Sequence, residues 1–194
     1  MLIEKPLDIL TDAELTLSEL QFLLNSSMKT APVCGPACDV YTEKRCDKNC
    51  EDAASFLSSD IDYPLEEIIA PLAFEIKRMG VYEPCWSCEG HLGLDGELWK
   101  LPMVWFYTNS MTYVRVMSQA IKEMYYQKKI SNEWIVVVTH SNADNAAICF
   151  SLEPDKSYEK PNLESLQQDV KNIADLIVNM VGVEAQRLSS TINK

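Results

Sequence analysis

The chain has 194 residues, 47% of them hydrophobic and 24% charged, a composition that supports one folded domain with a buried core. Its 17 basic and 29 acidic residues give a formal charge of −12, which argues against an extended nucleic-acid surface because phosphate binding needs clustered Lys and Arg. The N-terminus lacks the pattern of a signal peptide, and no apolar stretch reaches the roughly 20 residues that cross a bilayer. We therefore expect a cytoplasmic protein that binds neither nucleic acid nor membrane.

The first predicted element is an apolar helix that begins near Thr11. Residues 11–14, Thr-Asp-Ala-Glu, match a capping box, in which the threonine and glutamate side chains satisfy helix amides reciprocally. Leucines and a phenylalanine then occupy much of the helix circumference, so this helix needs a packing partner. The main domain is one such partner, and another protein or a second copy of the chain is the alternative.

A cysteine-rich segment follows this helix. It has the pattern CxxxC-x7-CxxxC, formed by Cys34, Cys38, Cys46 and Cys50. The segment has too few large apolar residues to fold on its own, and a reducing cytoplasm disfavours disulfides. We therefore expect a bound metal to stabilise it. We expect the four sulfurs to share zinc. An iron–sulfur cluster is the second expectation, and a pair of disulfides or free thiols is the third. Residues 1–60, which comprise the helix and this segment, are expected to dock on the core.

A second helix is predicted between Pro64 and Gly80. Pro64 suits a first helical turn, Glu66 and Glu67 would complement the helix dipole there, and Gly80 is a natural end. Pro71 interrupts this pattern, because it removes a backbone hydrogen bond, and predicts a kink.

The rest of the chain reads as two consecutive strand–strand–helix units. The strands are predicted near Val81–Ser87, Leu101–Thr108, Trp134–Thr139 and Ala146–Leu152, and the helices from Ser110 to about Lys128 and from Asn162 onward. This order predicts an α+β fold with a four-stranded, mainly antiparallel sheet, a ββαββα core over residues 61–187 and helices on one face. Residues 188–194 are expected to form a frayed tail.

A second cluster of metal-ligating residues is Cys85-x2-Cys88-x2-His91. It offers three protein ligands, the number found at an open catalytic zinc. The fourth ligand would be water, an upstream cysteine or His140, and Glu89 would act as acid or base toward a metal-bound water. A metal-free alternative is a redox pair of Cys85 and Cys88, and a structural alternative is that both cysteines are buried strand residues and the histidine belongs to a turn.

The stretch Ser87-Cys88-Glu89-Gly90-His91 resembles a motif of uncharacterised bacterial and phage proteins, in which Ser-Cys-x-Gly-His follows a helix and precedes an aromatic strand. Here Gly80 ends the preceding helix, and Trp105-Phe106-Tyr107 follows. The resemblance implies that Cys88 and His91 act together, and it implies no known activity. We expect Gly90, in a loop that also contains Gly93 and Gly96, to adopt a positive φ and turn the backbone sharply so that His91 faces the cysteine sulfurs.

Three functions remain open at this point. The first is a metalloprotein with a structural four-cysteine site and a second site at Cys85, Cys88 and His91. The second is a hydrolase or thiol enzyme in which Cys88 and His91 act with Glu89. The third is a non-catalytic module that binds a partner through its N-terminal helix. Cys149, the last cysteine, lies in an apolar run and is expected in the core.

Overall fold

The computed structural model describes residues 13–29, 66–141, 148–156 and 162–192, which form four helices and four strands. The elements are α1 (Ala13–Lys29), α2 (Ala70–Arg78), β1 (Glu83–Leu92), β2 (Leu98–Tyr107), α3 (Met111–Tyr126), β3 (Trp134–Ser141), β4 (Ile148–Pro154) and α4 (Leu163–Ile192). Apart from α1, the N-terminal region predicted to span residues 1–60 lies outside the described residues.

The four strands form one antiparallel sheet in the order β1-β2-β4-β3. β1 is adjacent to β2 and β3 is adjacent to β4, whereas β2 and β4 lie side by side at the centre of the sheet. The predicted α+β class with two strand–strand–helix units is therefore confirmed. β1 is an edge strand, so one side of its backbone is open to partners other than a strand.

The core lies between one face of this sheet and the helices. Alternate residues of the two central strands join it, namely Val104, Phe106, Phe150 and Leu152. The long helix α4 supplies a fully buried stripe at helical spacing, namely Leu166, Val170, Ile173 and Ile177. Each such side chain contributes about 1.5–3 kcal/mol on burial, so α4 is a principal anchor of the helix layer. Its contacts reach β1, where the candidate site lies.

Helix α2 begins later than the sequence predicted. It spans Ala70–Arg78, and Pro71 lies in its first turn, so the expected kink at this proline is wrong. Proline is favoured there because the amide that it lacks has no acceptor at the start of a helix. Glu66 and Glu67 consequently precede the helix, and its first turn contains no acidic residue. The Glu66 side chain is thereby available to contact another element.

Strand β1 is longer than predicted and contains the Ser-Cys-Glu-Gly-His motif. The expected positive φ at Gly90 is confirmed, but the expected sharp turn is wrong, because β1 and β2 remain paired as far as Leu92. Gly90 has a φ of 85°, and a Cβ at this position would lie 2.7 Å from Leu163 Cδ1 and 2.9 Å from Pro102 Cδ. Glycine is required here by the left-handed backbone and by the close approach of α4, rather than by a chain reversal.

Helix α4 includes residues 188–192, so the frayed tail predicted for residues 188–194 is wrong over this range. Leu188 and Ile192 pack against the hydrophobic core, and this burial accounts for the extra helical length. Within the four described ranges, no helix is both long enough and apolar enough to cross a membrane.

Candidate metal centre

The candidate site lies where the segment before α2 meets the edge strand β1. The Glu89 amide donates a hydrogen bond of 2.6 Å to Oε2 of Glu66. A second bond runs the other way, since the Ile68 amide donates to Oε2 of Glu89 at 3.0 Å. These two amide-to-carboxylate bonds tie residues 66–68 to the strand and fix the Glu66 carboxylate beside it.

Helix α4 holds the same stretch of β1 from the helix layer. Nε2 of Gln167 donates a hydrogen bond of 3.1 Å to the Glu89 carbonyl oxygen. One turn earlier, Leu163 lies so close to Gly90 that no side chain fits between them. The strand backbone around the site is therefore anchored from both sides, which is the support that a precise binding geometry needs.

Three metal-ligating side chains converge on this anchored stretch. Glu66, Cys88 and His91 each place one potential ligand atom within 4.8 Å of the other two. Nε2 of His91 lies 2.8 Å from Oε1 of Glu66, a direct hydrogen bond between the imidazole and the carboxylate. Cys88 is only 2% exposed, whereas the side chains of Glu66 and His91 are 30% and 38% exposed. The group thus has a buried sulfur and two ligands that face solvent.

The surroundings of Cys88 keep its thiol protonated in the absence of a metal. Burial raises the pKa of this thiol above its usual range, and the charge and hydrogen bonding of Glu66 raise it further. The Gly90 amide and the Lys100 ammonium act in the opposite direction but do not reverse the shift. A nucleophilic cysteine needs a lowered pKa, so these surroundings do not activate Cys88 as a free thiolate.

The separations within the group suit a small ion after a modest adjustment. A tetrahedral zinc with nitrogen and oxygen ligands at about 2.0–2.1 Å keeps those ligands about 3.3 Å apart. The hydrogen-bonded atoms of His91 and Glu66 would have to separate by about 0.5 Å from their 2.8 Å contact. Both side chains are partly exposed, so this movement does not disturb the packed core.

The structure brings together some of the predicted site residues and separates others. The expected approach of His91 to Cys88 is confirmed, and Glu66 joins them. The sequence contains no signal for this role of Glu66, because the carboxylate reaches the site only through the docking of α2 on β1. Glu89, predicted as an acid or base, directs its carboxylate to the Ile68 amide.

Five further predicted or alternative ligands lie outside what the structure describes. They are Cys34, Cys38, Cys46 and Cys50, together with the side chain of His140. The expectation that the four upstream sulfurs share one metal therefore stays a prediction.

Cys85 belongs to a different cluster. It lies at an irregularity of β1, where the pairing with β2 shifts between Pro84 and Trp86. Its sulfur is 3.7 Å from the sulfur of Cys149 on β4, and Cys149 is fully buried, as predicted. Burial, reinforced by the nearby Cys149, raises the pKa of the Cys85 thiol to about 12.

Comparison with known proteins assigns no family to the chain. The chain matches no protein-family model, and no curated protein or solved structure is significantly similar to it.

Proposed function

We propose that the protein binds a divalent transition-metal ion, with zinc as the best-fitting ion, through Glu66, Cys88 and His91. The observation that supports this most directly is the convergence of their three ligand atoms within 4.8 Å on an anchored strand edge. Carboxylate, thiolate and imidazole are all ordinary zinc ligands, and a mixed set of this kind suits a borderline-soft ion.

The charges of the group also favour a divalent ion. A carboxylate and a thiolate together carry two negative charges, which a divalent cation neutralises, while the imidazole binds in its neutral form. The thiol has to lose its proton on binding, so we expect proton release and tighter binding as the pH rises.

Three protein ligands leave a fourth tetrahedral position open. The exposed sides of Glu66 and His91 give this position access to solvent, so water is its natural occupant. A zinc ion in such a site lowers the pKa of bound water and can polarise a carbonyl or phosphoryl group. We therefore propose metal binding as the function. The open fourth position would also allow the bound ion to act as a Lewis acid in hydrolysis.

Cobalt substitution tests the proposal. We expect a chelator-treated, reduced chain to bind cobalt with a thiolate-to-metal absorption band, and zinc to displace it. Cys88→Ala should remove the contribution of this site to the band, and His91→Asn should weaken binding at this site at least about 100-fold. Ser87→Ala alters the neighbouring residue without removing a ligand and should leave both quantities unchanged.

The four upstream cysteines could contribute their own absorption, so the titration needs a matched background. The same variants should be compared in a chain in which Cys34, Cys38, Cys46 and Cys50 are replaced by alanine. Cobalt affinity and absorption that stay the same in Cys88→Ala, His91→Asn and Ser87→Ala would refute the site.

A further inference from the structure

A second pair of metal-ligating atoms joins β1 to β4 and includes none of Glu66, Cys88 and His91. The sulfurs of Cys85 and Cys149 are 3.7 Å apart, although 64 residues separate them in the chain. Cys85 is exposed at the edge strand and Cys149 is fully buried on a central strand. The pair therefore has one open side and one side closed by protein.

The sheet order determines how the two cysteines meet. Cys149 of β4 pairs with Tyr107 of β2, and Tyr107 also pairs with Glu83 of β1. β2 thus lies between the two cysteine-bearing strands. Cys149 alternates along β4 with Phe150, which belongs to the core, so its side chain points to the face opposite the helices. The two thiols meet over β2 on that face.

A direct disulfide does not fit this arrangement. Adjacent strands are about 4.8 Å apart, so two strands with one between them lie about 9.5 Å apart. A disulfide needs Cα atoms within about 6.8 Å of each other, so closing one here would distort the sheet.

An ion between the sulfurs requires no such distortion. Two thiolates bound to tetrahedral zinc at about 2.3 Å lie about 3.8 Å apart, which matches the observed separation. A linear two-coordinate ion with the same bond length would need sulfurs about 4.6 Å apart. Soft thiolate ligands select zinc and similar thiophilic cations over calcium or magnesium.

We propose that Cys85 and Cys149 form a second, independent site for a thiophilic cation of the zinc type, which bridges β1 and β4 across β2. Binding replaces the two thiol protons, which are released to solvent, and changes no oxidation state. The exposed side of Cys85 leaves the remaining coordination positions to water or a small thiol. The site shares no ligand with Glu66, Cys88 and His91, so either site can fail without the other.

Cadmium binding tests the pair in isolation. In a full-length chain in which the other five cysteines, Cys34, Cys38, Cys46, Cys50 and Cys88, are replaced by alanine, we expect one cadmium ion per chain and an ultraviolet thiolate-to-cadmium band. Adding Cys85→Ala or Cys149→Ala should each weaken binding at least about 100-fold, and the double replacement should add little, because two ligands of one ion act together. A folded chain without the band would overturn the proposal.

A second measurement on the natural chain decides the matter if that multiple variant does not fold. Cadmium should slow alkylation of Cys85 at least about tenfold, measured by peptide mass spectrometry, because a metal-bound thiolate is withdrawn from reaction. The protection should persist in Cys88→Ala, which lacks a ligand of the first site, and disappear in Cys149→Ala. Protection that survives Cys149→Ala, or that is absent from the natural chain, would overturn the pairing.

Discussion

Two carboxylates connect separate segments of the chain, and their partners differ in kind. Asp169 of α4 is fully buried and accepts hydrogen bonds from the amides of Ser131 and Asn132, from the Asn132 side chain and from the Trp134 indole. Glu66 is partly exposed and accepts bonds from the Glu89 amide and from His91.

The difference shows how a structural carboxylate is distinguished from a candidate ligand. All the partners of Asp169 are N–H groups of neutral residues, which donate hydrogen bonds and bind no metal. Glu66 instead lies beside an imidazole and a thiol, both of which can bind a metal ion. We therefore expect Asp169 to act on stability alone, and Glu66 to act chiefly on metal affinity.

The largest expected effect is at Asp169. Asp169→Ala should lower the free energy of unfolding by about 3–5 kcal/mol, because each buried donor left without an acceptor costs about 1–3 kcal/mol. Denaturant unfolding of the metal-free chain measures the change. Glu164→Gln, an exposed change near the start of the same helix, should stay within about 0.5 kcal/mol. A loss below about 1 kcal/mol for Asp169→Ala would contradict the structural role.

The matching change at Glu66 should separate affinity from stability. Glu66→Gln should weaken zinc binding at least about 100-fold while lowering the metal-free stability by only about 1 kcal/mol. Zinc at 100 times its dissociation constant should stabilise the natural chain by about 2.7 kcal/mol and have much less effect on Glu66→Gln. Glu67→Gln, at the exposed neighbouring carboxylate, is the control and should behave like the natural chain. Equal stabilisation of all three proteins by zinc would remove Glu66 from the site.

A change at Gly90 tests the anchoring of the site rather than its ligands. Gly90→Ala should destabilise the chain by about 2 kcal/mol, because the new methyl group meets Leu163 and Pro102 and a positive φ disfavours alanine. Gly182→Ala is the control, since a methyl group at that helical position has open space and should stabilise the chain by up to about 1 kcal/mol. Thermal unfolding compares the two, and equal melting temperatures would contradict the close approach of α4.

The smallest expected effect is a change in stability at alkaline pH, caused by a buried tyrosine hydroxyl that stays protonated in the folded chain. The Tyr82 hydroxyl donates to the Tyr113 carbonyl at 2.8 Å, and burial raises the pKa of Tyr82 well above its usual range. The unfolded tyrosine ionises near pH 10 and the folded one does not, so its contribution to stability is complete below pH 10 and is lost as the pH rises further.

Tyr82→Phe should therefore reduce the fall in unfolding free energy above pH 10, at a cost of about 1 kcal/mol at neutral pH for the lost hydrogen bond. Urea unfolding at several pH values measures both effects. An identical pH dependence in the natural chain and in Tyr82→Phe would show that Tyr82 does not contribute to the alkaline loss.

The sequence predicted the elements whose signals are local. Alternating and helical patterns of apolar residues marked the two strand–strand–helix units, because side-chain burial repeats every two residues in strands and every three to four in helices. Local spacing also placed Cys88 and His91 in one candidate site, and the structure brings their side chains together. The kink predicted at Pro71 and the sharp turn predicted at Gly90 were wrong. Proline also suits a first helical turn, and glycine also suits a strand position with a positive φ.

The tertiary structure alone decided the long-range partners. Glu66 reaches Cys88 and His91 because α2 starts after it and the preceding segment docks on the edge of β1. Cys85 was predicted to bind a metal with Cys88 and His91. Its sulfur lies instead beside that of Cys149, because the sheet order places β1 and β4 on either side of β2. Spacing along the chain indicates which nearby residues can share a site. The long-range contacts depend on how separate elements pack, and the pattern of each element alone does not specify that packing.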